Sequence, residues 1–377
     1  MRFVIPRTMS PRPSRLPCID ALKAVSSQLI VLHHLAFYGP MSDTAYRLAP
    51  GVVDWLYDYA RIAVQVFLVI SGFLAARSLA PHGRLEIREH PLAMLWRRYL
   101  KLVVPFAVAL LLSIAGSALA RQWMIHESIP APAHLTQFLA HLTLLHNVLD
   151  VDALSAGVWY VAIDLQLFGL LLVALWAARA LVPRQAQAGA VAGIGVVALL
   201  AVASLFWFNR DAAWDIWAVY FFGAYGMGTL AWWASNPGRS AMPMLVIGAV
   251  ALAALIVDFR LRIAVALATA LLLAISRRGG WMERWPRGHV VGFFGRISYS
   301  VFLVHFPVCL LVNALVSNLA PGEPLLNALG MAAAWALSNV AGALFHRYVE
   351  SASPLAGLRA AWAWLSDSRG SASRPTV

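Results

Sequence analysis

Residues 23–35, KAVSSQLIVLHHL, place one cation and two imidazoles in the first segment of the chain that is apolar enough to enter a membrane. Lys23 and His34 are eleven positions apart. At about 100° per residue this spacing is close to three helical turns, so both side chains are predicted to lie on one helix face, roughly 16 Å apart along the axis. Such a helix suits a polar path that runs through a membrane.

The composition of the whole chain agrees with a membrane location. The 377 residues are 61% hydrophobic and 12% charged, and their mean hydropathy is +0.71, whereas about 25% of the residues in an ordinary soluble domain are charged. The net charge of +12 is spread in short basic clusters between apolar runs, which favours membrane topology over nucleic-acid binding. We therefore predict an all-α integral membrane protein that contacts membrane lipids and no nucleic acid.

Ten apolar runs approach the length that crosses the hydrocarbon core of a bilayer. They lie at about 20–38, 58–79, 99–120, 158–181, 189–208, 215–234, 241–258, 260–276, 292–317 and 325–348. Their number predicts a bundle of about ten transmembrane helices. The two runs between 241 and 276 are short, so a count of nine is the alternative, but the charge pattern favours an even number.

Basic residues recur on one side when ten spans are threaded through the membrane. One cluster precedes the first span, and another, RRYLK at 97–101, begins the third. The positive-inside rule then places both termini in the cytoplasm. We predict cytoplasmic tails at 1–19 and 351–377 around one membrane domain at 20–350.

A further segment, AHLTQFLAHLTLLHNVL at 133–149, has apolar residues at helical spacing but is too short to span. It predicts one short interfacial or re-entrant helix. His134 and His141 share a face of this helix, yet no third ligand follows at metal spacing. We predict no metal site.

Ionisable side chains inside a bilayer cost several kcal/mol unless they face a partner or water, so each is a functional candidate. His34 lies well inside the first apolar run, where a neutral imidazole suits proton abstraction from a hydroxyl group. A histidine hydrogen-bonded in helix packing is the alternative, and packing is our interpretation of His33, which points about 100° away. Lys23 lies one turn from Asp20, so charge pairing and a direct role are equally open.

The second span, at 58–79, carries Arg61 and Gln65 on one face. Arg61 suits contact with an anion or a sugar, or with lipid headgroups to which it snorkels. Ser71 and Gly72 allow another helix or a thin substrate to approach the backbone.

The cations at the start of the third span, Arg97, Arg98 and Lys101, fit phosphate groups or ordinary positive-inside anchoring. Asp164, in VWYVAIDLQLF at 158–168, needs a partner inside the membrane, and an imidazole is one candidate.

A late span contains GRISYSVFLVHFP at 295–307. It places Ser298 and His305 on one helix face, two turns apart.

Together these stretches resemble the membrane acyltransferase-3 family of integral membrane O-acyltransferases. The resemblance runs from about residue 15 to residue 350, and the order and spacing of the motifs carry it. The matching motifs are RLPCIDALKAVSSQLIVLHH at 15–34, FLVISGFL at 67–74, RRYLKLVVP at 97–105, VWYVAIDLQLF at 158–168 and GRISYSVFLVHFP at 295–307. The chain departs from the family pattern at Lys23 and Lys101, which stand for arginines, and at Asp164, which stands for a glutamate. In the closing RYVESASP at 347–354 the proline also lies farther from Glu350 than in the common pattern.

The resemblance implies transfer of an acyl group, usually acetyl, from acyl-CoA at the cytoplasmic side of a bacterial inner membrane. The acceptor is expected to be a glycan, a lipid-linked sugar or another hydroxylated molecule, as in polysaccharide O-acetylation. No bound cofactor is implied, since acyl-CoA is a co-substrate. The roles we assign are catalytic for His34 and Asp164, the histidine as general base or acyl relay and the aspartate orienting an imidazole; donor-binding for Lys23, Arg97, Arg98 and Lys101; and tunnel-lining for Arg61, Gln65, Ser71, Ser298 and His305.

A proton-coupled transporter or flippase of a sugar-bearing or anionic solute is the alternative. Buried histidine, aspartate and arginine also build proton-coupled pathways. The sequence has no apparent inverted half-repeat, which counts modestly against this alternative.

Overall fold

The structure is a computed structural model that describes residues 16–87, 89–182, 185–238 and 240–352. Of the predicted tails, 1–15 and 353–377 lie outside the described residues. The described part is helical and contains no β-strand, so the all-α prediction is confirmed. Its α-helices are α1 (Pro17–Phe37), α2 (Pro40–Ala45), α3 (Pro50–Asp58), α4 (Val64–Leu79), α5 (Pro91–Ala120), α6 (Leu135–Leu142), α7 (Val158–Leu181), α8 (Ala186–Phe206), α9 (Ala218–Ala234), α10 (Met242–Val257), α11 (Leu261–Arg278), α12 (His289–Leu319) and α13 (Pro324–Phe345). A π-helical turn, His346–Glu350, follows α13.

Six helical stretches within the described ranges are long and apolar enough to cross a membrane. They are Pro50–Leu79, Pro91–Ala120, Val158–Leu181, Ala186–Arg210, His289–Leu319 and Pro324–Glu350. These six support a multi-pass membrane protein, whereas the count of ten spans stays a prediction.

Four further helices, α1, α9, α10 and α11, coincide with predicted spans but differ from the six in length or charge. α9 and α10 have 17 and 16 residues, where about 20 apolar residues are needed to span the bilayer core. α1 carries Asp20 and Lys23 near its start, and α11 ends with Arg277 and Arg278. These charges lie at helix ends, where they lower the mean hydropathy without interrupting the apolar middle.

Three helices are short, and one of them, α3, forms the first part of the stretch Pro50–Leu79. α2 and α3 were not predicted from the apolar runs; each begins with a proline in its first turn, where the missing N–H costs no hydrogen bond. α6 has eight residues, which is too short to span. Its placement as an interfacial or re-entrant helix stays a prediction.

Glycines allow the closest helix contacts around the first cavity described below. A Cβ at Gly72 of α4 would lie 1.9 Å from the carbonyl oxygen of Tyr225 in α9, and Thr229 donates its hydroxyl to the Gly72 carbonyl at 3.2 Å. We expected either a helix or a thin substrate to approach Ser71 and Gly72. At Gly72 the neighbour is a helix, α9. Similarly, a Cβ at Gly295 of α12 would lie 2.5 Å from the backbone oxygen of Asp20, so α1 packs directly on α12.

Candidate functional site

A cavity of about 380 Å³ lies between α1, α4, α5, α7, α9 and α12 and the turn that follows α13. Its wall runs along α4 from Val64 to Ser78, a rise of about 21 Å. α1 and α5 begin on the side of the molecule where α4 ends, so Lys23 and Lys101 lie towards the Ser78 end of the cavity. The opposite end is lined by apolar side chains, among them Ile30, Val64 and Phe67. The cavity is therefore cationic at one end and apolar at the other.

Six of the eleven predicted site residues line this cavity. They are Lys23, Ser71, Arg98, Lys101, Asp164 and Ser298. They come from five different helices, so the fold gathers motifs that are far apart in the sequence.

An ion pair forms part of the cavity wall. Arg98 Nη2 donates to Asp164 Oδ2 at 2.5 Å, and the Asp164 side chain is buried. This corrects the prediction that Asp164 orients an imidazole, because its partner is a guanidinium one helix away. The pairing also explains how a carboxylate is tolerated at this depth.

Arg98 has a further donor that pairs with no described residue. Its guanidinium lies 5.5 Å from the centre of the Phe168 ring, and its Nε is buried without a hydrogen-bond partner among the described residues. Buried donors are almost always paired, and an unpaired one at a cavity wall is suited to an acceptor atom of a ligand.

His34 and His305 form a hydrogen-bonded pair whose rings are nearly parallel. His305 Nδ1 lies 2.8 Å from the carbonyl oxygen of Phe302. A carbonyl accepts, so Nδ1 of a neutral His305 carries the hydrogen and its Nε2 is the acceptor. His34 Nδ1, 2.6 Å from that Nε2, must then donate. The remaining nitrogen, His34 Nε2, holds a lone pair and makes no hydrogen bond to any described residue.

The histidine pair lies one helical turn beyond the apolar end of the cavity. Ile30 and Phe302 line the cavity, four positions before His34 and three positions before His305 respectively. Gly157 stands beside the pair, because a Cβ there would lie 2.9 Å from the Phe302 ring and 3.8 Å from His34 Cε1. Its φ of +72° favours glycine. Glycine thus allows the Phe302 ring and the edge of the His34 imidazole to pack close to the backbone.

The sequence interpretation missed four cavity residues as site members: Tyr160, Tyr225, Tyr299 and Glu350. Glu350 Oε2 accepts from the Ser300 hydroxyl at 2.5 Å and lies 2.9 Å from His346 Nδ1. Tyr160 lies one turn before Asp164, so helical spacing alone could have identified it. Glu350 stands at the end of a predicted span, and its proximity to α12 has no local signal in the sequence.

Besides the histidine pair, three predicted residues lie away from the cavity wall. Arg97 is exposed and pairs with Glu89, and Arg61 is exposed on a 3₁₀ turn, Ala60–Ala63. Neither fits the role that we predicted for it in the cavity. Gln65 is buried and makes no hydrogen bond to any described side chain or backbone group.

His33 packs against a neighbouring helix and takes no part in the histidine pair. His33 Nδ1 lies 3.0 Å from the Leu56 carbonyl, a packing contact with α3. Within the described residues no group of three or more histidine, cysteine, aspartate or glutamate side chains is arranged to hold a metal ion.

The similarity to a known family extends over nearly the whole membrane domain. A family model described as an acyltransferase domain, that of acyltransferase-3, matches residues 16–345. A curated relative, "Regulator of hypoxia-inducible factor 1" of Caenorhabditis elegans, is 23% identical over 171 residues, which are 42% of this chain and 34% of the relative. The matched segment thus covers about a third of that protein. No solved structure matches.

Proposed function

Because the chain belongs to the acyltransferase-3 family, we propose that it transfers an acyl group, in the simplest case acetyl, from acyl-CoA to a hydroxyl group. The acceptor is a glycan, a lipid-linked sugar or another hydroxylated molecule. The donor enters from the cytoplasmic side of a bacterial inner membrane. His34 acts as the general base.

One observation carries this proposal, the hydrogen-bond chain that ends at His34. The Phe302 carbonyl fixes the tautomer of His305, and His305 in turn fixes that of His34. The chain leaves Nε2 of His34 as an unprotonated nitrogen, one helical turn beyond the apolar end of the cavity. A general base needs this combination of a fixed tautomer and a free lone pair.

The cavity supports the donor half of the proposal. Lys23, Arg98 and Lys101 give it a cationic wall, which suits the phosphates and polar arm of acyl-CoA. The size of about 380 Å³ falls within the range of about 300–1,000 Å³ that is usual for small-molecule sites. The apolar end then directs the thioester towards His34. Arg97 has no part in this donor site.

The reaction balances without a further reactant. His34 Nε2 takes the proton of the acceptor hydroxyl as its oxygen attacks the thioester carbonyl carbon. The carbon–sulfur bond then breaks, and the coenzyme A sulfur receives the proton from His34. An ester and free coenzyme A result, and His305 stabilises the transient imidazolium by accepting from Nδ1.

The test is an assay of thiol release from acetyl-CoA by the purified protein in liposomes, with and without a hydroxylated acceptor. We expect His34→Ala to lower the acceptor-dependent rate by about 10²- to 10⁴-fold. His33→Ala is the matched control, because it removes an adjacent imidazole that contacts the backbone of α3, and it should retain activity. Movement of the acceptor across the membrane without consumption of thioester would overturn the proposal in favour of a transporter.

A further inference from the structure

A second cavity, of about 650 Å³, lies between α8, α9 and α10. α9 separates it from the first cavity, since Tyr225 lines the first and Met227 and Leu230 line the second. Most of its wall is apolar. None of the residues that we predicted for the site lines it, so the proposed reaction does not account for it.

The depth of this second cavity corresponds to one leaflet of a bilayer. Along α8 its wall extends from Ile194 to Leu205, eleven positions that rise about 16 Å. Half of a hydrocarbon core of about 30 Å is about 15 Å. An acyl chain of one leaflet would therefore fill the wall from end to end.

Polar side chains gather at one end of the cavity. His82 follows α4, Asn236 and Ser240 lie between α9 and α10, and Arg277 lies at the end of α11. α4, α9 and α11 end on this side of the molecule and α10 begins there, so the four side chains are at one level. This is the arginine-rich side of the sequence.

Arg277 presents a positive charge without a negative partner among the described residues. Its guanidinium lies over the Trp232 ring at 3.4 Å from the centroid, and it donates to the Trp232 carbonyl and to Ser235 Oγ. Both acceptors are neutral. The charge that acts on it is that of another arginine, Arg77. An anion is the complement that this end of the cavity needs.

The cavity also opens sideways to the region where lipid would lie. Val202 of α8 and Met242 and Val246 of α10 line it and are 38%, 61% and 54% exposed. A ligand with apolar chains can therefore enter from the bilayer without passing through water.

We propose that the second cavity binds an acidic phospholipid of the leaflet on the arginine-rich side, and we call it the phospholipid cleft. The headgroup phosphate lies against Arg277, and one acyl chain lies between α8 and α10. The combination of depth, lateral opening and a single cationic end selects an amphiphile with an anionic head. The inference is independent of the acyl-transfer proposal.

The experiment measures lipid binding by two variants and their matched controls. Arg277→Gln removes the headgroup charge, and its control is Arg284→Gln, an exposed arginine outside the cleft. Ala198→Phe fills the cleft, and its control is Leu199→Phe, the next residue on α8, which is 70% exposed. Ala198→Leu replaces Ala198→Phe if the larger side chain prevents folding. Native mass spectrometry counts retained lipid, and thermal shifts are recorded with phosphatidylglycerol, phosphatidylcholine and inorganic phosphate.

We expect phosphatidylglycerol to be retained by, and to stabilise, the wild type and both controls. Arg277→Gln should bind it about fivefold more weakly, and Ala198→Phe should not retain it. Equal binding of phosphatidylglycerol by all variants would overturn the proposal. So would equal stabilisation by phosphatidylcholine, or a full thermal shift with inorganic phosphate alone, which would indicate a free-anion site.

Discussion

Two pairs of histidines in the described part of the chain have nearly parallel stacked rings, and they differ in their hydrogen bonds. His34 and His305 are joined at 2.6 Å within a chain that fixes both tautomers. His141 and His146 stack at 4.2 Å, yet both ring nitrogens of His146 are buried without a partner. Stacking is thus common to both pairs. A directed hydrogen bond is what makes one of them suited to act as a base.

The surroundings of the second pair support the same distinction. His141 donates from Nδ1 to the Gln137 carbonyl and accepts the Leu154 backbone N–H at Nε2. Both of its ring nitrogens therefore help to hold the loop between α6 and α7. His146 contributes packing, and burial together with the neighbouring His141 lowers its pKa to about 4. This pair resists protonation, and no cavity described above reaches it.

The largest effect should come from breaking the directed hydrogen bond of the first pair. His305→Ala removes the acceptor of His34 Nδ1–H and frees the tautomer, so we expect kcat/KM to fall by about 10- to 100-fold. His305→Gln retains an acceptor oxygen and should recover most of this loss. The pH profile of the alanine variant should also shift, which a loss of packing alone would not produce.

The corresponding substitution in the second pair is the control for this prediction. His141→Gln should leave the pH profile of acyl transfer unchanged. If His141→Gln and His305→Ala altered the profile alike, the distinction between the two pairs would fail.

A smaller effect is expected from adding a side chain at Gly157, which packs beside Phe302 and His34. Gly157→Ala places a methyl group 2.9 Å from Phe302 at a positive φ. We expect activity to fall about tenfold and the free energy of unfolding to fall by about 1–2 kcal/mol. Gly195→Ala, in α8 with no atom within 4 Å of the new Cβ, should leave activity unchanged. Equal activity of the two variants would refute a role for the close packing at Gly157.

How much of this site the sequence predicts depends on the range of the interaction. Helical spacing fixes the face of each helix that carries Lys23, Arg98 or Asp164, and all three residues line one cavity. It does not predict which helices are neighbours. His34 meets His305 across 271 positions, and Asp164 meets Arg98 in place of the expected imidazole. Pairing across helices depends on tertiary packing, which periodicity does not encode.

Substitutions in the second histidine pair should change the pH dependence of stability and leave acyl transfer unchanged. The pKa of His146 in the folded protein is about 4, below its ordinary value of 6.5, so the unfolded chain binds more protons in this range. The contribution of His146 to stability should therefore be constant above about pH 6.5 and fall as the pH drops towards 4. Thermal unfolding between pH 8 and pH 4 measures this slope.

His146→Phe should flatten that slope, since an aromatic ring remains but the proton site is removed. His134→Leu is the control, because His134 is exposed at the start of α6 and should leave the slope unchanged. An unaltered slope in His146→Phe would show that another group controls acid unfolding.

The smallest effect concerns two adjacent arginines, of which only Arg98 lines the cavity. Arg97 and Arg98 are chemically identical, but Arg97 is exposed and pairs with Glu89, whereas Arg98 lines the cavity and pairs with Asp164. Arg97 is not among the residues that line the cavity, so Arg97→Gln should change the KM for acyl-CoA by less than about twofold. Lys101→Gln removes an exposed cation of the cavity wall and should raise that KM by about two- to fivefold. A larger rise for Arg97→Gln than for Lys101→Gln would return Arg97 to the donor site, because the two variants remove the same charge and differ in whether it faces the cavity.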